Sequence, residues 1–125
     1  MKKILLIENE SVILLAISIF LKRQDFEVIE ATEGMTGLEL AKKQQPDLIL
    51  CDINMPQLDG YRVLEELRTD LITSKIPFIF ISSEPCPPNC RRALQLGAND
   101  YLTKPLENRE LLEAITIQLN KINSI

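Results

Sequence analysis

The sequence predicts an α/β fold in which one five-stranded parallel sheet is covered by helices on both faces. Short apolar runs alternate with segments whose apolar residues recur at helical spacing, and this alternation fills residues 4 to 122. The central runs are apolar at consecutive positions, which is typical of parallel strands buried on both sides. Right-handed crossovers leave few arrangements of such units, and we predict a doubly wound sheet with strand order 2-1-3-4-5.

The strands are predicted from their apolar runs. The five segments are β1 at 4–7, β2 at 26–30, β3 at 48–52, β4 at 78–81 and β5 at 101–103. The β1 and β4 runs are wholly apolar, β3 is apolar until its last residue, β2 alternates, and β5 is short. Pro46 and Pro77 stand just before β3 and β4, where a proline ends the preceding segment.

The helices are predicted from apolar residues three and four positions apart. The five segments are α1 at 11–23, α2 at 35–43, α3 at 61–70, α4 at 89–96 and α5 at 108–122. Their spaced apolar residues are Val12, Leu15, Ala16 and Ile19 in α1, Leu38, Leu40 and Ala41 in α2, Val63, Leu64 and Leu67 in α3, and Leu111, Ile115, Leu119 and Ile122 in α5. Ser11 can cap α1, and Gly97 suits the position after α4.

Size and composition narrow the class of protein. The 125 residues are the length of one domain, and we predict a single domain over 1–125 with its core at about 3–122. The net charge of −4 argues against direct binding to nucleic acid, which Lys and Arg drive. No apolar run approaches the ~20 residues that span a bilayer, and the first run stops at Glu8. We expect a cytoplasmic protein without membrane insertion.

The three cysteines are not expected to form a disulfide framework, because their number is odd and no secretory feature is evident. Cys51 lies in a predicted strand and suits the core. Cys86 and Cys90 lie in or beside a proline-rich loop, and two unrelated thiols are favoured over a redox pair. The chain has no histidine, which disfavours a structural zinc site.

Polar side chains follow four of the predicted strands, and the carboxyl ends of parallel strands share one rim of the sheet. These residues are Glu8, Asn9 and Glu10 after β1, Asp52 at the end of β3, Ser82 and Ser83 after β4, and Lys104 after β5. Carboxylate oxygens suit Mg²⁺, and a carboxylate can attack phosphorus to form an acyl phosphate. A lysine can balance phosphoryl oxygens, and a serine hydroxyl can hydrogen-bond one of them.

Four motifs on these strand ends resemble those of response-regulator receiver domains, the CheY-like group with a flavodoxin-like fold. They are KILLIENE at 3–10, DINMP at 52–56 followed by DG at 59–60, FISS at 80–83 and KP at 104–105. The resemblance implies that Asp52 is the phosphoacceptor, that Ser82 follows the phosphoryl group and that Lys104 is its charge partner. Tyr101 matches the aromatic position that moves on activation, and the bond before Pro105 is often cis in the family.

The resemblance also implies a Mg²⁺ site. Its ligands would be Glu8, Asn9, Asp52 and the backbone carbonyl of Asn54. The family usually carries a second acidic residue where this chain has Asn9, so we expect weaker metal binding than in an Asn9→Asp variant. Glu10 is expected to point away from the direction of Asn9, because side chains of an extended backbone alternate.

The leading hypothesis is a stand-alone response regulator rather than an enzyme, although it contributes to its own phosphorylation and dephosphorylation. A histidine kinase or a phosphotransfer protein would phosphorylate Asp52, and the α4–β5–α5 face would then bind a downstream protein. A homodimer is left open. The alternative is a degenerate receiver that docks proteins independently of phosphate, which Asn9 and the prolines of loop 84–89 favour. A flavodoxin-like cofactor protein is disfavoured, since Glu8 and Glu10 would repel a cofactor phosphate.

Overall fold

The computed structural model describes residues 1–84 and 89–123, except the side chains of Asn89, Ile122 and Asn123. Its strands are Lys3–Ile7 (β1), Glu27–Ala31 (β2), Leu48–Asp52 (β3), Phe78–Ser82 (β4) and Asp100–Thr103 (β5). Its helices are Ser11–Arg23 (α1), Gly34–Gln44 (α2), Gly60–Thr69 (α3), Asn89–Gln95 (α4) and Asn108–Asn123 (α5). Within the described part of the chain, no helix has the length and hydropathy that crossing a membrane requires.

The strands form one parallel sheet in the order β2-β1-β3-β4-β5, which confirms the predicted fold class and topology. Successive residues of each central strand point to opposite faces, and both faces are buried. Leu5, Ile49 and Phe80 pack on one face with α2, α3 and α4. The opposite face packs against α1 and α5. This double burial explains why the central strands are apolar throughout.

The first helix, α1, buries a different face from the one that the spacing of its apolar residues predicted. Its buried residues are Leu14, Ile17, Ser18 and Leu21, whereas Val12, Leu15 and Ile19 are exposed. Apolar residues surround most of α1, so their spacing alone does not identify the inner face. The predicted cap at Ser11 is wrong, because Ser11 is already helical. Glu10 is the N-cap, with an extended backbone and no side-chain capping bond.

The cysteines follow the predictions in part. Cys51 is buried and free, and its burial raises the pKa of the thiol well above its usual value, which makes it unreactive. Cys90, near the start of α4, is disulfide-bonded, so the expectation of unrelated thiols is wrong for this residue. Cys86 and the prolines of the same loop lie outside the described residues.

Candidate functional site

Asp52 is the last residue of β3, the middle strand of the sheet, and its side chain is only 4% exposed. The chain then turns into α3 at Gly60. A Cβ atom at Gly60 would overlap the carbonyl oxygen of Asp52 and lie 2.9 Å from the Cα of Ile53. Glycine therefore lets α3 start directly against the backbone that carries Asp52. Asp59, part of the DG motif at 59–60, caps this helix by accepting a hydrogen bond of 3.0 Å from the backbone N–H of Arg62.

Lys104 joins the ends of three strands through one ammonium group. Its Nζ lies 2.8 Å from Glu8 Oε1 and 3.5 Å from Asp52 Oδ1. Its backbone N–H donates to the carbonyl oxygen of Ser82 at 2.7 Å, and the following bond to Pro105 is cis, as the resemblance implies. Glu8 is fully buried and the Lys104 side chain is 11% exposed. The structure thus brings together Glu8, Asp52 and Lys104, as the strand-end argument predicts.

Glu10 also belongs to this cluster, although it was not among the predicted metal ligands. One carboxylate oxygen each from Glu8, Glu10 and Asp52 lies within 4.8 Å of the others, and Lys104 Nζ is 3.9 Å from Glu10 Oε1. Glu10 has an extended backbone and lies two residues after Glu8, so the alternation of side chains places the two carboxylates on the same side. Its backbone N–H donates to Glu8 Oε2 at 3.0 Å. Asn9 is exposed on the same turn, and its role as a ligand stays a prediction.

Burial raises the pKa of Asp52 to about 6, and the charge of Glu8 acts in the same direction while Lys104 opposes both. Burial acts to lower the pKa of Lys104, but the hydrogen bond to Glu8 and the charge of Asp52 outweigh it and raise that pKa. At neutral pH the site therefore holds an ionised Asp52 beside a protonated Lys104. An ionised carboxylate is the form that acts as a nucleophile.

Ser82 and Tyr101, the predicted switch residues, meet at the backbone of Glu84. Ser82 is fully buried, and its Oγ accepts a hydrogen bond of 3.0 Å from the Glu84 N–H. The Tyr101 hydroxyl donates to the Glu84 carbonyl oxygen at 2.9 Å, while its ring lies 6.5 Å from that of Phe80. Asn54 reaches the same residue, since its Nδ2 donates to Glu84 Oε1 at 3.1 Å. The proposed metal contact of the Asn54 carbonyl stays a prediction.

Glu84 and Glu10 are the two residues of this region that the sequence analysis did not assign. Two of the three contacts described above for Glu84 use its backbone atoms, which carry no residue-specific signal. The signal for Glu10 was its position directly after Glu8 and Asn9, at the first turn of a helix. Together the described side chains provide a buried nucleophile, a cation, a hydroxyl and carboxylate ligands for a divalent cation. This combination suits the acceptance of a phosphoryl group.

Comparisons with known proteins agree with this chemistry. The response regulator receiver domain matches residues 4–116. The DNA-binding dual master transcriptional regulator RpaA of Synechocystis sp. is 34% identical over 125 residues, which are 100% of this chain and 52% of that protein. The chain therefore spans about half the length of this relative.

Two solved structures show the same fold. A response regulator receiver domain protein from Clostridium thermocellum has a TM-score of 0.91 at 30% identity and covers 98% of each chain. The receiver domain of the sensor histidine kinase PA1611 from Pseudomonas aeruginosa has a magnesium ion coordinated in its active site cleft. It has a TM-score of 0.88 at 29% identity, covering 95% of this chain and 98% of that chain. This chain belongs to the response regulator receiver domain family of two-component signalling.

Proposed function

We propose that this receiver domain accepts a phosphoryl group on Asp52 and passes the signal on through protein contacts. The observation that carries the proposal is the buried Asp52 carboxylate at the end of β3, 3.5 Å from the ammonium of Lys104. A purely structural ion pair between Asp52 and Lys104 would need no further acidic groups. Here Glu8 and Glu10 also lie close to the Lys104 ammonium. An acid with a perturbed pKa, grouped with other acids at the carboxyl ends of parallel strands, is typical of a functional site.

The proposed phosphoryl donor is a phosphohistidine of a histidine kinase or phosphotransfer protein. It must come from a partner, because this chain has no histidine. An Asp52 carboxylate oxygen attacks the phosphorus, the phosphorus–nitrogen bond breaks, and the imidazole leaves with the electron pair. Lys104 balances the negative charge on the phosphoryl oxygens. Ser82 accepts from Glu84 through its oxygen, so its hydroxyl proton is a separate donor for a phosphoryl oxygen.

The donor set of the site fits Mg²⁺. The oxygens of Glu8, Glu10 and Asp52 are close enough to share one ion, and hard divalent cations prefer such ligands. When bound, the ion would offset negative charge on the phosphoryl group. The Asn9 side chain and the Asn54 carbonyl would complete the set. We propose that Glu10 compensates in part for the carboxylate that is missing at position 9.

The Glu10→Gln variant is expected to bind Mg²⁺ about tenfold more weakly than the wild type, because one carboxylate charge is lost. The Asn9→Asp variant should bind more tightly than the wild type. A Mg²⁺ titration followed by NMR measures both affinities. The matched control is Glu27→Gln, which removes the same charge at the amino-terminal end of β2. Equal affinities for Glu10→Gln and the control would contradict the role of Glu10.

The output is proposed to be a change in the α4–β5–α5 face. Phosphorylation adds about −1.5 to −2 charge beside Ser82 and Lys104. Ser82 touches Glu84 and Glu84 touches Tyr101 of β5, so a movement of Ser82 can reach this face. A downstream protein, or a second copy of the chain, would bind there. The net charge of −4 supports contact with protein rather than nucleic acid.

Incubation with acetyl phosphate and Mg²⁺ tests the proposed acceptor. Intact-mass measurement of the wild type should show the addition of one phosphoryl group, and peptide mapping should place it on Asp52. Asp52→Asn keeps the volume of the side chain but removes the nucleophile, so it should gain nothing. The absence of an adduct on the wild type, with beryllofluoride also failing to shift its NMR spectrum, would favour a docking module that works without phosphate.

A further inference from the structure

We propose that a contact between Arg92 and Tyr61 holds α4 in its unphosphorylated position and so opposes the response of the α4–β5–α5 face to phosphorylation. Arg92 lies on α4, and its Cζ atom is 4.0 Å from the centre of the Tyr61 ring, near the start of α3. A guanidinium over the face of an aromatic ring is attracted to it. The inference rests on the proposed function, since it concerns how readily a phosphoryl group on Asp52 shifts α4.

Tyr61 is fixed relative to the Asp52 site. It is 7% exposed, and its ring packs edge-on against that of Phe80 in β4, with the ring centres 5.2 Å apart. It directly follows Gly60, which brings α3 against the backbone of Asp52. Because protein interiors are close-packed, the ring cannot follow a shift of α4 without displacing these neighbours. A shift of α4 therefore separates the guanidinium from the ring.

Helix α4 is attached to the core by little apolar surface. Of its side chains that the structure describes, Ala93 alone is buried, and Leu94 is 55% exposed. By contrast, α3 buries three aliphatic side chains and the Tyr61 ring. An alanine side chain removes little apolar area from water, so one further contact carries a large share of what positions α4. Elements that move in conformational switching are drawn from such weakly attached parts of a fold.

The contact lowers the population of the shifted arrangement. A ligand that binds only the less populated of two states has an apparent affinity that is lowered in proportion to the fraction of molecules in that state. Loss of the Arg92 guanidinium should therefore strengthen the binding of a phosphoryl mimic to Asp52. The Arg92 side chain is exposed, and a cation–π contact at an exposed site changes such an equilibrium by about threefold.

The test is a titration with beryllofluoride at constant Mg²⁺, followed by NMR, because the beryllofluoride complex of a carboxylate resembles an acyl phosphate. Arg92→Gln should bind beryllofluoride about threefold more tightly than the wild type. Beryllofluoride is an anion, so the loss of a positive charge alone would weaken its binding. Arg91→Gln is the matched control, since it removes the same charge from the neighbouring exposed residue, and it should not bind more tightly than the wild type. The titrations contain no reductant, so every variant keeps the disulfide of Cys90.

A second substitution determines whether the effect depends on the ring. Tyr61→Phe keeps an aromatic face, and Arg92→Gln should still strengthen binding about threefold in that background. Tyr61→Leu keeps an apolar side chain but removes the aromatic face, so the addition of Arg92→Gln should change the affinity no further. Each comparison is made within one background, so a general loss of stability caused by Tyr61→Leu does not enter the result.

Each outcome decides a different point. A wild type whose spectrum does not respond to beryllofluoride would overturn this inference together with the proposed function. A response of the wild type, with equal affinities for Arg92→Gln and Arg91→Gln, would overturn this inference alone. Weaker binding by Arg92→Gln would show that the guanidinium stabilises the shifted position of α4, which is the opposite of the proposal. An equal gain in the Tyr61→Leu background would show that the ring plays no part, and it would overturn the proposal as well.

Discussion

The Arg68→Ala variant is expected to have a free energy of unfolding about 3 kcal/mol lower than that of the wild type. Arg68 lies on α3, and its guanidinium donates to three acceptors from other segments. Nη1 donates to the Ile76 carbonyl at 2.8 Å, Nη2 donates to the Gly97 carbonyl at 2.9 Å and to Asn99 Oδ1 at 3.1 Å, and Nε donates to Gly97 at 3.2 Å. Truncation would leave these acceptors without their charged donor.

The arrangement explains why one surface helix residue has so large an expected effect. The acceptors belong to the turn before β4 and to the connection between α4 and β5, so Arg68 ties α3 to both. Gly97 has a φ of +103°, a conformation that glycine adopts without strain and that directs the chain from α4 into β5. Hydrogen bonds from a charged nitrogen contribute more to stability than neutral ones, at roughly 1.5–3 kcal/mol net.

Urea denaturation of matched variants measures this effect. Arg62→Ala removes an exposed arginine from the same helix and is expected to stay within about 0.5 kcal/mol of the wild type. Arg68→Lys keeps the charge but not the planar arrangement of donors, so it should recover only part of the loss. Equal midpoints for Arg68→Ala and Arg62→Ala, with equal slopes, would show that the guanidinium contacts contribute no net stability.

The fold could be predicted from the sequence, whereas the contacts of Arg68 could not. The sheet order followed from apolar runs and from the handedness of crossovers, which are local patterns combined with a general rule. The contacts of Arg68 are mainly to backbone carbonyls eight and 29 positions away, and such acceptors are the same at every residue. The inner face of α1 could not be predicted either, since only packing against the sheet distinguishes Leu14 from Leu15.

The residues of the candidate site likewise fall into those that the sequence predicted and those that it did not. Asp52, Glu8 and Lys104 were predicted because a parallel sheet brings the ends of its strands to one rim, whatever the details of the loops. Glu10 was not predicted as a ligand, because Asn9 occupies the position of the family's usual ligand, although alternation along the extended backbone places Glu10 on the side of Glu8. Glu84 was not identified, because its partners meet it only after two loops and β5 are packed together.

The Asp52→Asn variant is expected to be more stable than the wild type by about 2 kcal/mol at pH 7.5. The fold raises the pKa of Asp52 from 3.8 to about 6, first by burial and then through the charge of Glu8, with Lys104 opposing. A shift of about two units corresponds to about 3 kcal/mol of cost for ionising this group in the folded state. The variant avoids this cost, but it loses part of the attraction to Lys104 and keeps a buried polar amide.

The sign of the pH dependence follows from the raised pKa. The folded state holds a proton on Asp52 more tightly than the unfolded state does, so this group contributes stability that is fully present below about pH 4. The contribution is lost as the pH rises through about 6, the folded-state pKa. The stability advantage of Asp52→Asn should therefore grow between about pH 4 and pH 6 and remain constant above that range.

Thermal or urea unfolding of Asp52→Asn and wild type across this pH range measures the difference. Asp25→Asn is the control, because it removes one carboxylate at an exposed position with a φ of 66°, which asparagine also tolerates. The stability of this control should equal that of the wild type at every pH. If Asp52→Asn were less stable than the wild type at pH 7.5, attraction to Lys104 would outweigh burial and the charge of Glu8. Ionised Asp52 would then stabilise the folded state, and the inference that the fold raises the pKa of Asp52 would be wrong.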